Sequence, residues 1–317
     1  MNLNQMRYVL AVAQAGNFSR AAKLCHVSQP SLSVAIKGLE EELGLPIFER
    51  HKNEVSVTEL GAQIITQIQK VLEEIDQIKC IAQDGADPLS GALRIGAIMT
   101  IGPYLFPNMI PAFRKLAPNM KLLVEENYTT VLTERLKRGD VDAIIIALPY
   151  QEHGVKIQSL YDEPFMAAVP AGHAWEHRPH IEGQDLATDD LILLGKGNCF
   201  RDQVLEICPD CMKMADTAEG AGGNIIEGSS LETIRHMVAT AVGVSVLPAS
   251  SIHSLICNTA DCPAKENRYV RYVPFCEPAP KRRVALAWRS SFPNPSALQA
   301  LVKSIYSAPP VGVTLLR

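Results

Sequence analysis

The chain has 317 residues, of which 47% are hydrophobic and 20% are charged, and its formal net charge is -4 at pH 7. This composition is typical of a soluble protein, and the length allows two or three domains that each bury a core. The negative charge excludes binding of nucleic acid through a basic bulk composition, so any DNA contact must come from local cations and helix ends. Apolar runs of about 18 residues, which a membrane-spanning helix requires, are absent, so we expect no membrane contact.

The cysteines and the cofactor motifs limit the possible functions further. Eight cysteines lie scattered between Cys25 and Cys276, whereas a secreted disulfide framework would be short and dense. We therefore expect a reduced protein of the cytoplasm. The sequence also lacks a phosphate loop, a dinucleotide-binding glycine fingerprint and a zinc-protease motif, so we expect neither an enzyme nor a bound cofactor or metal.

Residues 1–57 predict a compact domain of short helices. Apolar residues at helical spacing give a first helix over residues 2–16, and a second helix is expected to begin at Ser19, which would act as its cap. After a tight turn, a third helix opens with Ser28 as cap and Pro30 in its first turn. Two helices joined in this way form a helix-turn-helix; the alternative is a three-helix core without a DNA-binding role.

The outward face of the third helix carries short polar groups and a cation, which are the side chains that contact base edges and phosphates of double-stranded DNA. Residues 51–57 alternate valines with polar turn residues and predict a small β wing, beside which Arg50 and Lys52 would contact phosphate. Because positive and negative charges nearly cancel over residues 1–57, we expect two copies to bind DNA together. The helix residues predicted to bind DNA are Ser28, Gln29, Pro30, Ser31, Ser33 and Lys37.

Residues 58–88 predict a long helix followed by a hinge. Its apolar residues recur with spacings of 4, 3, 4 and 3, which is the heptad pattern of helices that pair with a copy of themselves. The alternative is a helix that lies on its own domain. The heptad pattern predicts a homodimer through Ile64, Ile68, Val71, Ile75 and Ile78.

Residues 89–317 alternate between predicted strands and helices, which favours an α/β fold with a parallel sheet. We predict two α/β lobes of the periplasmic-binding-protein type, lobe one over about residues 89–162 and 268–317, and lobe two over about residues 163–267. Residues 269–274 and 284–289 are expected to return to the first sheet. Thr100 and Thr129 follow the first two strands, where hydroxyl and free N–H groups can hold a small polar ligand.

A helix with a cysteine near each end is predicted within residues 197–209. Asn198 is a suitable cap, and the helix dipole together with Arg201 should bias Cys199 towards the reactive thiolate. Nine residues of helix place Cys208 on the opposite side, roughly 13 Å along, whereas a disulfide needs Cα atoms within about 7 Å. Pairing of the two cysteines would therefore require the helix to unwind; the alternative is two ordinary reduced thiols.

Motifs in the N-terminal domain resemble those of LysR-type transcriptional regulators, and the resemblance extends over the whole chain. Residues 100–104 (TIGPY) and 199–203 (CFRDQ), together with Cys208, are similar to the peroxide-sensing members of that family. The resemblance implies DNA and RNA polymerase as partners and hydrogen peroxide as the signal. The N-terminal motifs are residues 18–22 (FSRAA), 27–33 (VSQPSLS), 39–44 (LEEELG) and 45–50 (LPIFER).

The resemblance also implies a role for each residue of the cysteine site. Cys199 would be the peroxide-reactive thiol and Cys208 the resolving thiol that forms a disulfide with it, although Cys211 is only three residues further along and competes for that role. A homotetramer, built as a dimer of dimers, would change its DNA footprint on oxidation. At one position the chain departs from the family, because Asn198 stands where these regulators usually have histidine. The implied peroxide pocket comprises Thr100, Thr129, Asn198, Arg201 and Asp202.

Two other functions are compatible with the sequence. A LysR-type regulator could respond instead to a small metabolite bound near Thr100 in the cleft between the lobes, and an effector that acts without a thiol would reveal this. Alternatively, four thiols could hold a zinc ion in a metal-dependent or metal-stabilised domain, which metal analysis of the reduced protein would detect. These thiols belong to Cys208, Cys211, Cys257 and Cys262.

Overall fold

The computed structural model describes residues 1–50, 55–83, 88–217, 225–252 and 269–316. The chain divides into two compact units, one comprising Met1–Pro88 with Ser291–Pro295 and the other Leu89–Ser290 with Ser296–Arg317. The first unit is mainly helical and the second is built around a mixed sheet, so the predicted α/β class is confirmed. The predicted hinge at residues 84–87 lies outside the described residues.

The first unit begins with the three predicted helices, α1 (Leu3–Ala15), α2 (Phe18–Leu24) and α3 (Gln29–Leu43). Ser28 caps α3 as predicted, since its Oγ accepts a hydrogen bond from the Ser31 N–H at 3.2 Å. The predicted cap of α2 is wrong. Asn17 rather than Ser19 occupies that position, and its Oδ1 accepts from the N–H groups of Ser19 and Arg20. Because an Asn side chain reaches both orphan donors, α2 starts one residue earlier than expected.

A two-stranded wing follows α3. Strands β1 (Phe48–Arg50) and β2 (Val55–Val57) pair antiparallel, with Arg50 opposite Val55 in the register. Lys52 lies outside the described residues. On the face of α3 that was predicted to contact DNA, Ser33 is half-buried and the other predicted residues are exposed, namely Ser28, Gln29, Pro30, Ser31 and Lys37.

The first half of the long helix α4 (Glu59–Gln83) packs on its own unit, and the predicted pairing with another copy stays a prediction. Ile68 is only 4% exposed and belongs to the core of the first unit, against which Ile64 and Val71 also pack. The apolar period was correct, but its first half contacts the three-helix core of the same chain. Ile75 is half-buried and Ile78 is 65% exposed, so the free part of the seam lies towards the end of the helix.

If that part of α4 mediates dimerisation, Ile78→Asp should shift the chain towards monomers without unfolding the first unit. A charge placed in an apolar helix pair opposes association, whereas at an exposed site within one chain it costs little. Thr66→Asp, at an exposed position on the opposite side of α4, is the matched control. Analytical ultracentrifugation should show dissociation for Ile78→Asp alone, and an intact dimer would place the interface elsewhere.

The second unit opens with a parallel βαβ arrangement, as the sequence predicted. Strand β3 is hydrogen-bonded in parallel to both β4 and β5, and helices α5 and α6 connect these strands. The carboxyl ends of β3 and β4 therefore lie at one edge of the sheet, where residues after each strand are close together. The bounds are β3 (Gly91–Ile98), α5 (Gly102–Leu116), β4 (Met120–Asn127), α6 (Thr129–Arg138) and β5 (Ala143–Ala147).

The strand β6 (Val155–Pro170) runs through both halves of this unit. Its first part pairs with β11 (Lys281–Arg289), while its last residues pair with β9 (Val244–Pro248) and with β10 (Val270–Pro274). The prediction that residues 269–274 return to the first sheet is therefore wrong, because β10 lies beside residues 166–170 of β6. The return is made by β11, which is antiparallel to β5 and β6 and makes the sheet mixed.

The rest of the second unit surrounds a core to which the end of β6, strands β9 and β10, and residues 191–211 and 231–238 contribute. Cys208 and Cys211 both belong to this core. Among the described residues, no helix is long and apolar enough to cross a membrane. The remaining elements are β7 (Leu191–Leu194), α7 (Cys199–Ile207), α8 (Pro209–Thr217), β8 (Ile225–Gly228), α9 (Leu231–Ala239), α10 (Ala249–Ile252), α11 (Pro295–Ser307) and β12 (Thr314–Leu315).

Candidate functional site

Cys199 is the first residue of α7, at the end of the loop that follows β7. Gly197 has φ of 91°, a left-handed conformation that favours glycine, and this turns the chain into the helix. The thiol thus lies at the positive end of a nine-residue helix, where unpaired N–H groups favour negative charge. The Cys199 side chain is half-buried, so it remains within reach of small solutes.

Asn198 occupies the predicted cap position of α7 but does not cap the helix with its side chain. Its Nδ2 instead donates a hydrogen bond to the carbonyl oxygen of Gly195 at 3.0 Å, which holds the loop closed on itself. The expected capping bond is therefore wrong. The first N–H groups of α7 are left without that side-chain acceptor, beside the sulfur of Cys199.

A small cavity lies against this thiol. Thr129 lies in the first turn of α6, and its Oγ1 donates a hydrogen bond to Cys199 Sγ, with 3.9 Å between the two atoms. Thr100 forms another part of the cavity wall. The volume is about 10 Å³, which is close to the lower limit for one water molecule. A solute with only one or two non-hydrogen atoms suits such a space better than a metabolite does. The lining residues are Ile98, Met99, Thr100, Asn127, Tyr128, Thr129, Gly197, Asn198, Cys199 and Phe200.

Thr100 is held by Arg282, a residue that the sequence interpretation missed. The Arg282 guanidinium donates from Nη1 to the Thr100 Oγ1 and from Nη2 to the Thr100 carbonyl oxygen, each at 2.8 Å. Since the hydroxyl oxygen accepts one of these bonds, its own proton stays available as a donor. The sequence did contain a signal that Arg282 is buried. Side chains alternate between the two faces of β11, so Arg282 points to the face opposite to that of the exposed Lys281 and Arg283.

Arg282 forms a buried ion pair with Glu163 of β6. The Arg282 Nε lies 2.7 Å from the Glu163 Oε2, and both side chains are 0% exposed. The other carboxylate oxygen of Glu163 accepts from the Ser250 N–H at 2.9 Å. The guanidinium carbon of Arg282 also lies 5.2 Å from the ring centre of Phe200, which follows Cys199 in α7. One buried cation therefore joins the peptide at Thr100, strand β6 and the start of α7.

Two of the predicted pocket residues lie elsewhere. Arg201 was expected to place a cation beside the thiol, but its Nη1 donates to the Leu194 carbonyl at 2.7 Å and pairs with the Glu227 Oε1 at 2.9 Å. Asp202 is exposed on α7. Neither residue lines the cavity in this structure, and their part in a peroxide pocket stays a prediction. Arg201 instead ties the start of α7 to strands β7 and β8.

Cys208 ends α7 and is fully buried, with the whole helix between it and Cys199. Both thiols are free in this structure, so the predicted separation of the two cysteines in the reduced fold is confirmed. Of the four thiols proposed for zinc, Cys257 and Cys262 lie outside the described residues. Within the part of the chain that the structure describes, no group of three or more His, Cys, Asp or Glu side chains could hold a metal ion.

A larger cavity of about 880 Å³ lies in the second unit, between residues 148–151, the exposed side of α7 and residues 280–283. Its described lining residues include none of those around the cavity at Cys199. The metabolite alternative placed its ligand at Thr100, where the space is two orders of magnitude smaller. The geometry at Thr100 therefore favours a very small ligand.

Comparison with protein families decides the broad identity of the chain. Residues 3–62 match the bacterial regulatory helix-turn-helix proteins of the lysR family, and residues 86–308 match the LysR substrate binding domain. The chain belongs to the LysR family. The predicted helix-turn-helix is thereby confirmed, and the broad function of this LysR-family protein is that of a DNA-binding transcription regulator.

Curated relatives and solved structures of the LysR family include several OxyR proteins. The DNA-binding transcriptional dual regulator OxyR of Escherichia coli is 34% identical over 305 residues, covering 96% of this chain and 95% of the relative. A full-length OxyR variant from Pseudomonas aeruginosa superposes with a TM-score of 0.81 at 45% identity, covering 100% of this chain and 99% of that one. An OxyR mutant of Corynebacterium glutamicum with H2O2 bound superposes with a TM-score of 0.62 at 27% identity, covering 97% of this chain and 92% of that one. These similarities agree with the resemblance noted from the sequence.

Proposed function

We propose that this LysR-family protein senses hydrogen peroxide through Cys199 and transmits the signal by a disulfide between Cys199 and Cys208. The observation that carries the proposal is the thiol at the start of α7, which faces a cavity of about 10 Å³ and accepts a hydrogen bond from Thr129. Thr100, fixed by Arg282, supplies a second hydroxyl on the cavity wall. The peroxide named in the solved OxyR structure supports the same choice of ligand.

The chemistry needs only the thiols and one molecule of peroxide. The Cys199 thiolate attacks one peroxide oxygen, the O–O bond breaks, and hydroxide leaves as the sulfur becomes a sulfenic acid. The Cys208 thiol then attacks this sulfur, forming the disulfide and releasing water. In total, two electrons pass from the two thiols to peroxide. The hydroxide takes up the proton that Cys199 lost on ionisation and becomes the second molecule of water.

The disulfide changes the fold because α7 separates the two sulfurs. Nine residues of helix span about 13 Å, and the Cα atoms must approach to within about 7 Å. Unwinding α7 removes the Phe200 ring from Arg282 and from Phe165, whose ring centre lies 5.1 Å away. The covalent bond thus selects a second arrangement of the second unit, as expected for a thiol switch.

The output of this switch is proposed to be a change in DNA binding by an oligomer. Residues 1–57 would bind double-stranded DNA, residues 58–88 would dimerise, and residues 89–317 would sense the signal. Within the sensing part, lobe one would cover about residues 89–162 with the segment from β11 onwards, and lobe two the residues between them, including β10. A homotetramer in contact with RNA polymerase completes the proposal, in accord with the family.

Footprinting of the full chain on promoter DNA tests the proposed function. The reduced protein should protect one region, one equivalent of peroxide should change the protected region, and a thiol reductant should restore it. Protein whose thiols have been alkylated before the addition of peroxide serves as the control and should not respond. A footprint that changes in the alkylated protein, or that never changes with peroxide, would contradict peroxide sensing through a thiol.

The proposed DNA interface predicts that Lys37→Ala weakens binding and flattens its salt dependence. Lys37 lies exposed on α3, with Glu41 3.5 Å away. Loss of one phosphate contact should lower the slope of log affinity against log salt by about 0.9. Arg50→Ala should act in the same direction. Lys115→Ala, which removes an exposed charge from the second unit, is the matched control. Equal slopes for all variants would exclude this interface.

A further inference from the structure

Cys208 and Cys211 form a second close pair of thiols that the proposed switch does not use. The Cys211 N–H donates to Cys208 Sγ at 3.2 Å, and the Met212 N–H donates to the Cys208 carbonyl at 3.1 Å. Cys208 therefore caps α8 with its sulfur, as Ser or Asp does elsewhere with oxygen. Both side chains are buried and both thiols are free. The motif Cys208-Pro209-Asp210-Cys211 thus starts a nine-residue helix.

This pair meets the distance requirement of a disulfide within the existing fold. Cys208 is the extended residue that precedes α8, and its sulfur lies 3.2 Å from the backbone nitrogen of Cys211. This proximity brings the two residues within reach of a disulfide, whose Cα atoms lie within about 7 Å, so that rotation of the side chains can join the sulfurs. A bond between Cys199 and Cys208, in contrast, requires that α7 come apart. Cys-x-x-Cys pairs at helix starts are a recurrent arrangement for redox-active dithiols.

We propose that Cys208 and Cys211 are a second redox couple, which takes the disulfide over from Cys199 and lets α7 refold. The inference rests on the proposed function. In the exchange, the Cys211 thiolate attacks Cys208 Sγ, the bond from Cys208 to Cys199 breaks, and Cys199 leaves as a thiolate. The proton lost by Cys211 is returned to Cys199 through solvent. One disulfide replaces another, so the exchange consumes neither oxidant nor reductant.

The packing of α7 supplies the driving force for this exchange. With the disulfide at Cys199, the helix stays unwound and Phe200 and Val204 lose their buried positions. With the disulfide moved to Cys211, α7 can form again, and Phe200 can return to Phe165 and Arg282. Burial of an aromatic and an aliphatic side chain favours the second state.

The order of events follows from the burial of Cys211. Burial, together with the neighbouring Cys208, raises the pKa of the Cys211 thiol, so this thiol is a poor nucleophile in the reduced fold. Cys199, at the cavity, therefore reacts with peroxide first. Cys211 becomes reactive only after the unwinding of α7 has opened the core around Cys208. The disulfide at Cys199 is then transient, and the DNA response to a single dose of peroxide is a pulse.

Peptide mapping of the full chain separates the two disulfides. Trypsin cleaves after Lys196, Arg201 and Lys213, which places Cys199 in residues 197–201 and the other two cysteines in residues 202–213. After one equivalent of peroxide, samples are alkylated at increasing times. The wild type should first give two linked peptides. It should later give an alkylated 197–201 and a 202–213 peptide that is two hydrogens lighter than its dithiol form. A protease that cleaves before Asp210 distinguishes Cys208 from Cys211 in the linked species.

Three variants complete the test. Cys211→Ala and Cys211→Ser should keep the linked peptides for as long as no reductant is added, and two different substitutions guard against one that fails to fold. Cys199→Ser should form the Cys208–Cys211 disulfide far more slowly than the wild type. A wild type whose linked peptides persist, with Cys211 alkylated, would overturn the exchange and leave the proposed switch intact. If Cys199 stays reduced even in the Cys211 variants, the proposed function itself fails.

Discussion

Cys199→Ser should abolish the response of the protein to peroxide completely. A serine hydroxyl keeps the shape of the side chain and the hydrogen bond from Thr129, but it has no thiolate to attack peroxide. Cys208→Ser should behave differently, since Cys199 would still be oxidised but would lack this resolving thiol. That variant is expected to accumulate sulfenic acid or to proceed to the sulfinic state. The measurement is the mass of the peptide that contains Cys199 after peroxide treatment.

Cys25→Ser is the matched control for these two variants. Cys25 is a half-buried thiol of the first unit, and burial raises its pKa, so it should contribute little thiolate. Its replacement is expected to leave the oxidation of Cys199 and the change in footprint as they are in the wild type. A response that survives in Cys199→Ser and disappears in Cys25→Ser would place the sensing thiol in the first unit and contradict the proposed role of Cys199.

Arg282→Met should lower the free energy of unfolding of the second unit by about 3–5 kcal/mol, because it leaves Glu163 as an unpaired buried charge. The double variant Arg282→Met with Glu163→Gln removes both charges and should be less destabilised than Arg282→Met alone. The amide oxygen of glutamine can still accept from the Ser250 N–H. Loss of Arg282 also frees Thr100, so oxidation of Cys199 should slow.

Arg283→Met is the control for this prediction. Arg283 is the next residue, but its side chain is 47% exposed, and its partner Asp162 also pairs with Lys281 at 2.9 Å, so the loss of Arg283 should cost less than about 1 kcal/mol. Denaturation can be followed by tryptophan fluorescence, because both tryptophans, Trp175 and Trp288, lie in the second unit. Equal costs for Arg282→Met and Arg283→Met would show that the buried pair has no special role.

Local signals in the sequence predicted the elements well. Ser28 and Pro30 correctly marked the start of α3, since a cap and a first-turn proline act within a few residues. The parallel βαβ order likewise followed from alternating apolar runs. The two ends of α7 were also correct, because Pro209 cannot continue a helix.

Features that depend on tertiary partners were not predictable in this way. The spacing of apolar residues predicted the apolar face of α4 that contains Ile68. Spacing alone does not show whether such a face packs on the core of its own chain or on another copy. The same limit applies to β10, whose partner strand is more than a hundred residues away in sequence. Arg201 was expected beside the thiol and contacts the Leu194 carbonyl instead, whereas the role of Arg282 was not predicted. The sequence does not show which carbonyl or carboxylate a charged side chain will contact.

Differential alkylation after a substoichiometric dose of peroxide tests the central claim most directly. The full chain is treated, quenched with one alkylating agent, reduced, and labelled with a second agent that marks the cysteines that had been oxidised. Our account predicts that Cys199 is the first to carry the second label and that Cys208 follows as its partner. Cys25 and Cys276 should remain unmarked at that dose. A Cys199 that stays reduced at every quench time in Cys211→Ala, while other cysteines of that variant are already oxidised, would contradict the account.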